Sequence, residues 1–169
     1  MFPETLRINT FTMPQLQAEL AAQNVGLNVH AQQLLARADL QAADAHPLTL
    51  HLQVRTVADL RIPQAATLPA IFAAATAQGL ALCPSVTGAY LRLAYLQQPA
   101  SDAPVHAGRA PLGALTVASA PLSSDVEYPK GFYLRMIDGQ PWLRRYRCDD
   151  TYVWHDDDVL VFCITDAKA

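Results

Sequence analysis

The chain has 169 residues, of which 51% are apolar and 16% charged, and its formal net charge is −3. That charge content, against about 25% in an average soluble domain, excludes a disordered acidic or basic tail protein, and the mild acidity argues against a surface that clings to nucleic acid throughout. The length fits one domain, or two small lobes sharing a core, although 29 of the apolar residues are alanine and large core side chains are correspondingly fewer.

Met1-Phe2-Pro3-Glu4 lacks the basic and apolar regions of a secretory leader. No uninterrupted apolar run approaches the length of a spanning helix; Leu68 to Cys83 is broken by Pro69, Thr76, Gln78 and Gly79. Cys83, Cys148 and Cys163 are odd in number and far apart, which is not a disulfide framework. The expectation is a protein of a reducing, cytoplasmic compartment with no membrane association.

The first third reads as helical. Thr12 and Gln15 fit a capping box, and Phe11 with Leu16 a hydrophobic staple. This helix is expected to run to about Gln23 and stop near Gly26. Asn28 caps a second helix with Ala31, Leu34, Leu35 and Ala38 on one face. Leu48 to Arg55 alternates apolar with polar, the period of a half-buried strand, and a short helical turn follows at Val57 to Leu60. Thr67, Pro69 and Gly79 punctuate the clearest helix, with Leu68, Ile71, Phe72 and Ala75 as its apolar stripe.

From Leu80 onward the period switches to two. Tyr90 to Leu96 reads as a strand with Leu91, Leu93 and Tyr95 on one face, and residues 97–113 as a surface loop or flexible insertion. Ala114 to Ala118 is a further strand. Gly131 to Ile137, Asp138-Gly139 and Trp142 to Arg147 form a hairpin, with Pro141 at a strand start or an edge. Val159 to Ile164 is apolar on both faces and is placed centrally. The layout is α+β, with N-terminal helices packed on an antiparallel C-terminal sheet or a small, partly open β-barrel. Residues 1–84 are expected to form a mainly helical lobe with one strand and 85–166 an antiparallel β lobe, in one compact unit.

Three segments carry a resemblance: Ala66 to Phe72, then Gly79-Leu80-Ala81-Leu82-Cys83-Pro84, then Leu91-Arg92-Leu93-Ala94-Tyr95. The C-terminal part adds Gln140-Pro141-Trp142-Leu143-Arg144-Arg145-Tyr146, Trp154 and Val161-Phe162, and the opening adds Gly26 to Val29 with Ala31, Leu34 and Leu35. Together they resemble a family of small uncharacterised bacterial proteins with "LGLELCP…LRLxY" and "GLWLRGY…W…D.FVF" patterns. This chain lacks the glutamate of the first pattern, adds the 97–113 loop and has Arg145 where the family has glycine. The resemblance implies a bacterial source and supports the boundaries above; it implies no activity.

The charges are segregated. Lys130, Arg135, Arg144, Arg145 and Arg147 put five of the twelve basic residues within 18 positions, interleaved with Tyr133, Trp142 and Tyr146. Arginine beside aromatic rings on a twisted sheet stacks bases and neutralises phosphates, and equally docks an acidic partner; an ordinary solvated hairpin with arginine stems over rings is the plain alternative. Arg92 interrupts an apolar segment and calls for an anionic partner, either an internal carboxylate or a ligand anion. The acidic run Asp149, Asp150, Asp156, Asp157 and Asp158 with His155 lacks the spacing of a calcium loop and reads as turn formers and arginine partners. Cys148, His155 and Cys163 lack zinc-site spacing, and Cys83, with His51 or His106 as a distant base, reads as a buried structural thiol rather than a nucleophile. The expected binding set is Arg92, Tyr133, Arg135, Trp142, Arg144, Tyr146 and Arg147, with no catalytic residue, metal or cofactor assigned. The expected function is a non-enzymatic protein-binding module of the bacterial cytosol. A nucleic-acid-associated accessory protein and, below it, a small hydrolase-type enzyme are the alternatives.

Overall fold

A computed structural model describes residues 1–37, 39–41, 44–101 and 110–164. The chain opens on a short strand, β1 (Thr5–Ile8), whose Leu6 and Ile8 are buried and whose Thr5 and Arg7 are exposed. Four residues of alternation are too few to stand out beside a well-capped helix, and the reading of the first third as helical missed them. Helix α1 (Met13–Ala22) starts at the expected capping box: Gln15 N donates to Thr12 Oγ1 at 3.3 Å and Thr12 N donates to Gln15 Oε1 at 2.9 Å. Its end differs from the expectation. The left-handed residue is Asn24, at φ 56°, and Gly26 belongs to a two-residue strand, β2 (Gly26–Leu27).

Helix α2 (Val29–Leu35) is capped by Asn28, whose Oδ1 accepts from Ala31 N at 2.9 Å. Strand β3 (Leu48–Thr56) and a 3-10 turn (Ala58–Leu60) follow as expected. Helix α3 (Leu68–Ala77) carries the Thr67 cap and leads through Gly79, at φ 82°, into β4 (Leu80–Ala81). The remaining elements are α4 (Thr87–Ala94), β5 (Leu115–Val117), β6 (Gly131–Ile137), β7 (Gln140–Tyr146) and β8 (Val159–Ile164).

The sheet order is β1-β3-β8-β5-β6-β7-β2, with β4 added on β8. Helices and this curled sheet give the α+β fold with a partly open barrel. The sheet is mixed, because β5 runs parallel to β8 and β2 parallel to β7. Strands from both sides of residue 84 share it, β3 and β4 both pairing with β8. Asp138 and Gly139, at φ 49° and 74°, turn the β6–β7 hairpin at the expected place, as a tight two-residue loop requires.

The sheet is covered on both faces. One core joins Leu16 and Leu20 of α1, Leu34 and Leu35 of α2 and Leu91 of α4 to Phe132, Leu134, Leu143 and Val161. The other joins Leu68 and Ile71 of α3 to Tyr133, Tyr146, Trp154, Leu160 and Phe162. Strand β8 sends alternate residues into the two cores, which is why it is apolar on both sides.

The segment expected as the strand Tyr90–Leu96 is instead helix α4. Its residues Thr87 to Arg92 are all buried. Its one charged residue, Arg92, is buried between Leu91 and Leu93, so Leu91, Leu93 and Tyr95 mimic alternation. Burying each large apolar side chain stabilises by roughly 1.5–3 kcal/mol, more than the roughly 1 kcal/mol by which local propensity disfavours its Gly88 and the few tenths for Thr87. Gly88 lets the helix reach the sheet: a Cβ there would lie 2.6 Å from Phe132 Cβ.

The start of the 97–113 loop also differs from the expectation. Gln98 and Ser101 are buried, whereas residues 102–109 lie outside the described residues. Both belong to a polar network around Arg92. Arg92 Nη1 donates to Gln98 Oε1 at 2.7 Å, to Arg135 O at 3.2 Å and to Trp142 O at 3.3 Å, and Nη2 donates to Tyr95 O. Gln98 Nε2 donates to Leu134 O at 3.1 Å and Gly113 O at 3.0 Å. Arg135 Nη2 donates to Ser101 O at 2.6 Å, and Ser101 Oγ accepts from Met136 N at 2.7 Å.

Replacing Gly88 by alanine forces α4 away from Phe132 and is expected to destabilise the fold by about 1–3 kcal/mol. Urea unfolding reads this as a lower midpoint at unchanged slope; an unchanged midpoint contradicts the close approach.

Candidate functional site

The hairpin register decides which of the expected residues meet. Gly131 pairs with Tyr146, Tyr133 with Arg144 and Arg135 with Trp142, so these six share one face of the two strands. Tyr133 and Tyr146 lie toward the open end of the hairpin and Arg135 and Trp142 toward its turn. After β7 the chain folds back over the open end. Asp149 Oδ1 accepts from Thr151 N at 2.8 Å, Thr151 Oγ1 at 2.7 Å and Tyr152 N at 2.9 Å, which makes the bend. Trp154 N donates to Ala66 O at 2.8 Å and ties the returning segment to the start of α3.

That fold-back stacks three aromatic rings edge to face. The Trp154 ring centroid lies 6.0 Å from Tyr146 at 81° and 5.9 Å from Tyr152 at 78°, within the range where such pairs attract. Beside them is a cavity of about 150 Å³, walled by Tyr133, Tyr146, Tyr152 and Trp154 and bounded by Arg145, Arg147 and Cys148, with Ala110 and Pro111 closing one side. Its volume equals that of an engineered protein cavity that takes up benzene, so it admits one planar group.

The two arginines differ. Arg147 Nη1 holds Glu127 Oε2 at 2.5 Å in an exposed pair, of a kind that contributes little to stability. Arg145 is half-buried and makes no hydrogen bond or ion pair among the described residues. Burial and then the neighbouring Arg147 and Arg144 charges pull its guanidinium below the ordinary arginine value. The Tyr146 hydroxyl is fully buried, has no hydrogen-bond partner among the described residues and is held well above the ordinary tyrosine value by burial. Burial likewise pushes the Cys148 thiol up to about 11, although nearby Lys130 opposes this.

Of the expected binding set, Tyr133, Tyr146 and Arg147 line this cavity. Arg92 and Arg135 do not reach the surface. They are 0% and 4% exposed, and among the described residues the partners of Arg92 are backbone carbonyls and Gln98 rather than the internal carboxylate expected. Burial lowers Arg92 to about 10, which leaves it charged at neutral pH. Trp142 and Arg144 form a separate pair, the guanidinium 5.7 Å from the indole centroid. Trp142 packs against Gly26, where a Cβ would lie 2.5 Å from the ring. Tyr95 meets Phe2 edge to face, and neither it nor Arg92 nor Trp142 lines the cavity beside Trp154. The hairpin is therefore not an open docking sheet; most of its strand residues are buried, and exposure is concentrated at its turn, Asp138 and Gly139, and at Arg147 by its open end.

The expected set omitted Arg145, Cys148, Tyr152 and Trp154. The signal that locates them is Asp149 with Thr151 two residues on, an Asx turn that returns the chain over β7.

The acidic run serves local turns: besides Asp149, the buried Asp158 accepts from His155 N at 2.8 Å through Oδ2. Among the described residues no three histidine, cysteine or acidic side chains gather as a metal would require. Cys83 is buried and His51 exposed, and His106 lies outside the described residues. No helix among the described residues is long and apolar enough to cross a membrane. No family model, no curated protein and no solved structure matches the chain.

The raised thiol gives a direct check on the cavity wall. Moving Cys148 from 9.0 to about 11 lowers its thiolate fraction at pH 8 by roughly 100-fold. Iodoacetamide labelling of Cys148 in the folded protein is expected to be correspondingly slow and to rise with a midpoint near pH 11, whereas rapid labelling at pH 8 contradicts the burial.

Proposed function

We propose that the protein is a non-catalytic binding module of the bacterial cytosol that takes an acidic segment of a protein partner at the open end of the β6–β7 hairpin. One aromatic or apolar side chain of the segment enters the Tyr133–Tyr146–Tyr152–Trp154 cavity, and an adjacent carboxylate meets Arg145. The observation that carries this reading is Arg145 itself: a half-buried guanidinium with no hydrogen bond or ion pair among the described residues, at the mouth of an aromatic cavity. Arginine and tyrosine are the residue types over-represented at such contacts, and a bidentate arginine–carboxylate pair fixes orientation. The three free cysteines fit a reducing compartment. The resemblance to small bacterial proteins belongs to the same reading.

Single-stranded nucleic acid is the weaker alternative. The site offers rings and arginines, but the net charge of −3 supplies no extended cationic track.

The test uses a short peptide of alternating aspartate and phenylalanine, with oligothymidylate as the comparison. Trp154 fluorescence is expected to respond to the peptide, and Arg145→Glu to weaken binding by at least about 30-fold while leaving the unfolding midpoint unchanged. Peptide binding that is indifferent to Arg145→Glu, or oligothymidylate binding alone with a steep salt dependence, overturns the reading.

A further inference from the structure

Cys83 and Cys163 are 80 residues apart in the chain, yet their sulfurs are 3.1 Å apart. Cys83 follows β4, and its N donates to Ala118 O at 2.7 Å, which holds the segment beside β5. Cys163 lies on β8 opposite Ala81. Two residues beyond Ala81, Cys83 presents its side chain on the same face, so the register itself directs both thiols to one point.

Both sulfurs lie in the core that contains Leu91 and Val161, at 3% and 6% exposure. No histidine, aspartate or glutamate belongs to that core cluster. The geometry points to a peroxide-reactive dithiol: Cys83 and Cys163 convert reversibly to a disulfide with hydrogen peroxide as oxidant. A disulfide needs a sulfur separation of about 2.05 Å, so the pair closes by about 1 Å.

The reaction balances in two steps. The Cys163 thiolate attacks one peroxide oxygen, the O–O bond breaks, and Cys163 becomes a sulfenic acid as hydroxide leaves and takes up a proton to give water. The Cys83 sulfur then attacks the Cys163 sulfur, the S–O bond breaks, and the hydroxyl leaves as a second water with the Cys83 proton. In sum two thiols and one peroxide give one disulfide and two waters, the sulfurs losing two electrons.

The order of the two cysteines follows from their exposure, 6% at Cys163 against 3% at Cys83. Cys163 S–H donates to the Cys83 sulfur, while Cys83 S–H points at Val161 O at 3.7 Å. When Cys163 loses its proton, Cys83 S–H is free to turn onto the thiolate. That contact holds Cys163 below and Cys83 well above the ordinary thiol value, burial adding to the rise at Cys83. Cys163, the more exposed of the two, is the attacking thiol and Cys83 the resolving one. A cytosolic setting keeps such a pair reduced until oxidant appears.

The test treats the intact protein with a small excess of hydrogen peroxide and counts thiols after denaturation. The expected result is a fall from three thiols to one, a mass loss of two hydrogens, and a non-reduced peptide pair joining Cys83 to Cys163, all reversed by dithiothreitol. The thermal midpoint of the oxidised form is expected to rise by at least about 5 °C, because the bond closes a long loop. The Cys148→Ser variant, which leaves the pair untouched, is expected to give the same linkage, and Cys83→Ser to trap Cys163 sulfenic acid as a dimedone adduct. Retention of all three thiols, oxidation confined to Cys148, or conversion of Cys163 to sulfinic acid in the wild type without linkage to Cys83 overturns the assignment.

Discussion

The arrangement of the molecule depends on one buried cation. Arg92 sits in the last turn of α4, where the helix carbonyls carry partial negative charge, and it is fully enclosed. An enclosed guanidinium is costly unless its donors are met. Here Nη1 and Nη2 are met by the Tyr95 carbonyl at the end of α4, by carbonyls of β6 and β7, and by the Gln98 side chain, while Nε has no partner among the described residues. Among the described residues these partners are dipoles rather than carboxylates. The arrangement ties the central helix, both strands of the hairpin and the segment after Leu96 to one point. Arg135, whose own carbonyl accepts from Arg92, holds the Ser101 carbonyl in turn.

This constraint places the candidate site. With the turn half of the hairpin locked against α4, the open end is left to be covered by the 148–154 fold-back, whose bend comes from Asp149 and whose anchor is the Trp154–Ala66 hydrogen bond. The cavity is what remains between the hairpin and that cover. The clustered basic residues therefore divide by depth: Arg92 and Arg135 hold the fold, Arg144 stacks on Trp142, and Arg145 and Arg147 face outward at the cavity. The aromatic walls of the cavity belong to the core on one face of the sheet, and Cys83 and Cys163 to the core on the other. The two features are thus spatially independent.

What the sequence revealed and what it hid follow from the range of the interactions. The Thr12, Asn28 and Thr67 caps are satisfied within three residues, and the Asp138-Gly139 turn within the hairpin, so each was readable in place. Strand β3 was readable because its first half alternates buried with exposed residues. Helix α4 was not, because its buried Arg92 falls between Leu91 and Leu93 and imitates the apolar–polar alternation of a strand. Gly26 resembles a helix stop in one dimension; in three it is the residue that admits the Trp142 ring. The aromatic and arginine clustering pointed to a part of the chain that borders the cavity. It could not separate the residues that turn inward from those that line a cavity, because that depends on a cover formed by residues 148–154. The sulfur pair was hidden more deeply, since two cysteines 80 positions apart carry no local sign of contact.

The role of Arg92 as the common anchor is tested most directly by a double-mutant cycle with Gln98, using Arg92→Met, Gln98→Leu and the double variant in urea unfolding. If the two side chains act as one network, the losses are strongly non-additive, with a coupling of at least about 1 kcal/mol. Losses that add to within about 0.3 kcal/mol would show that Arg92 and Gln98 are buried side by side without depending on each other, and the anchor would have to lie elsewhere.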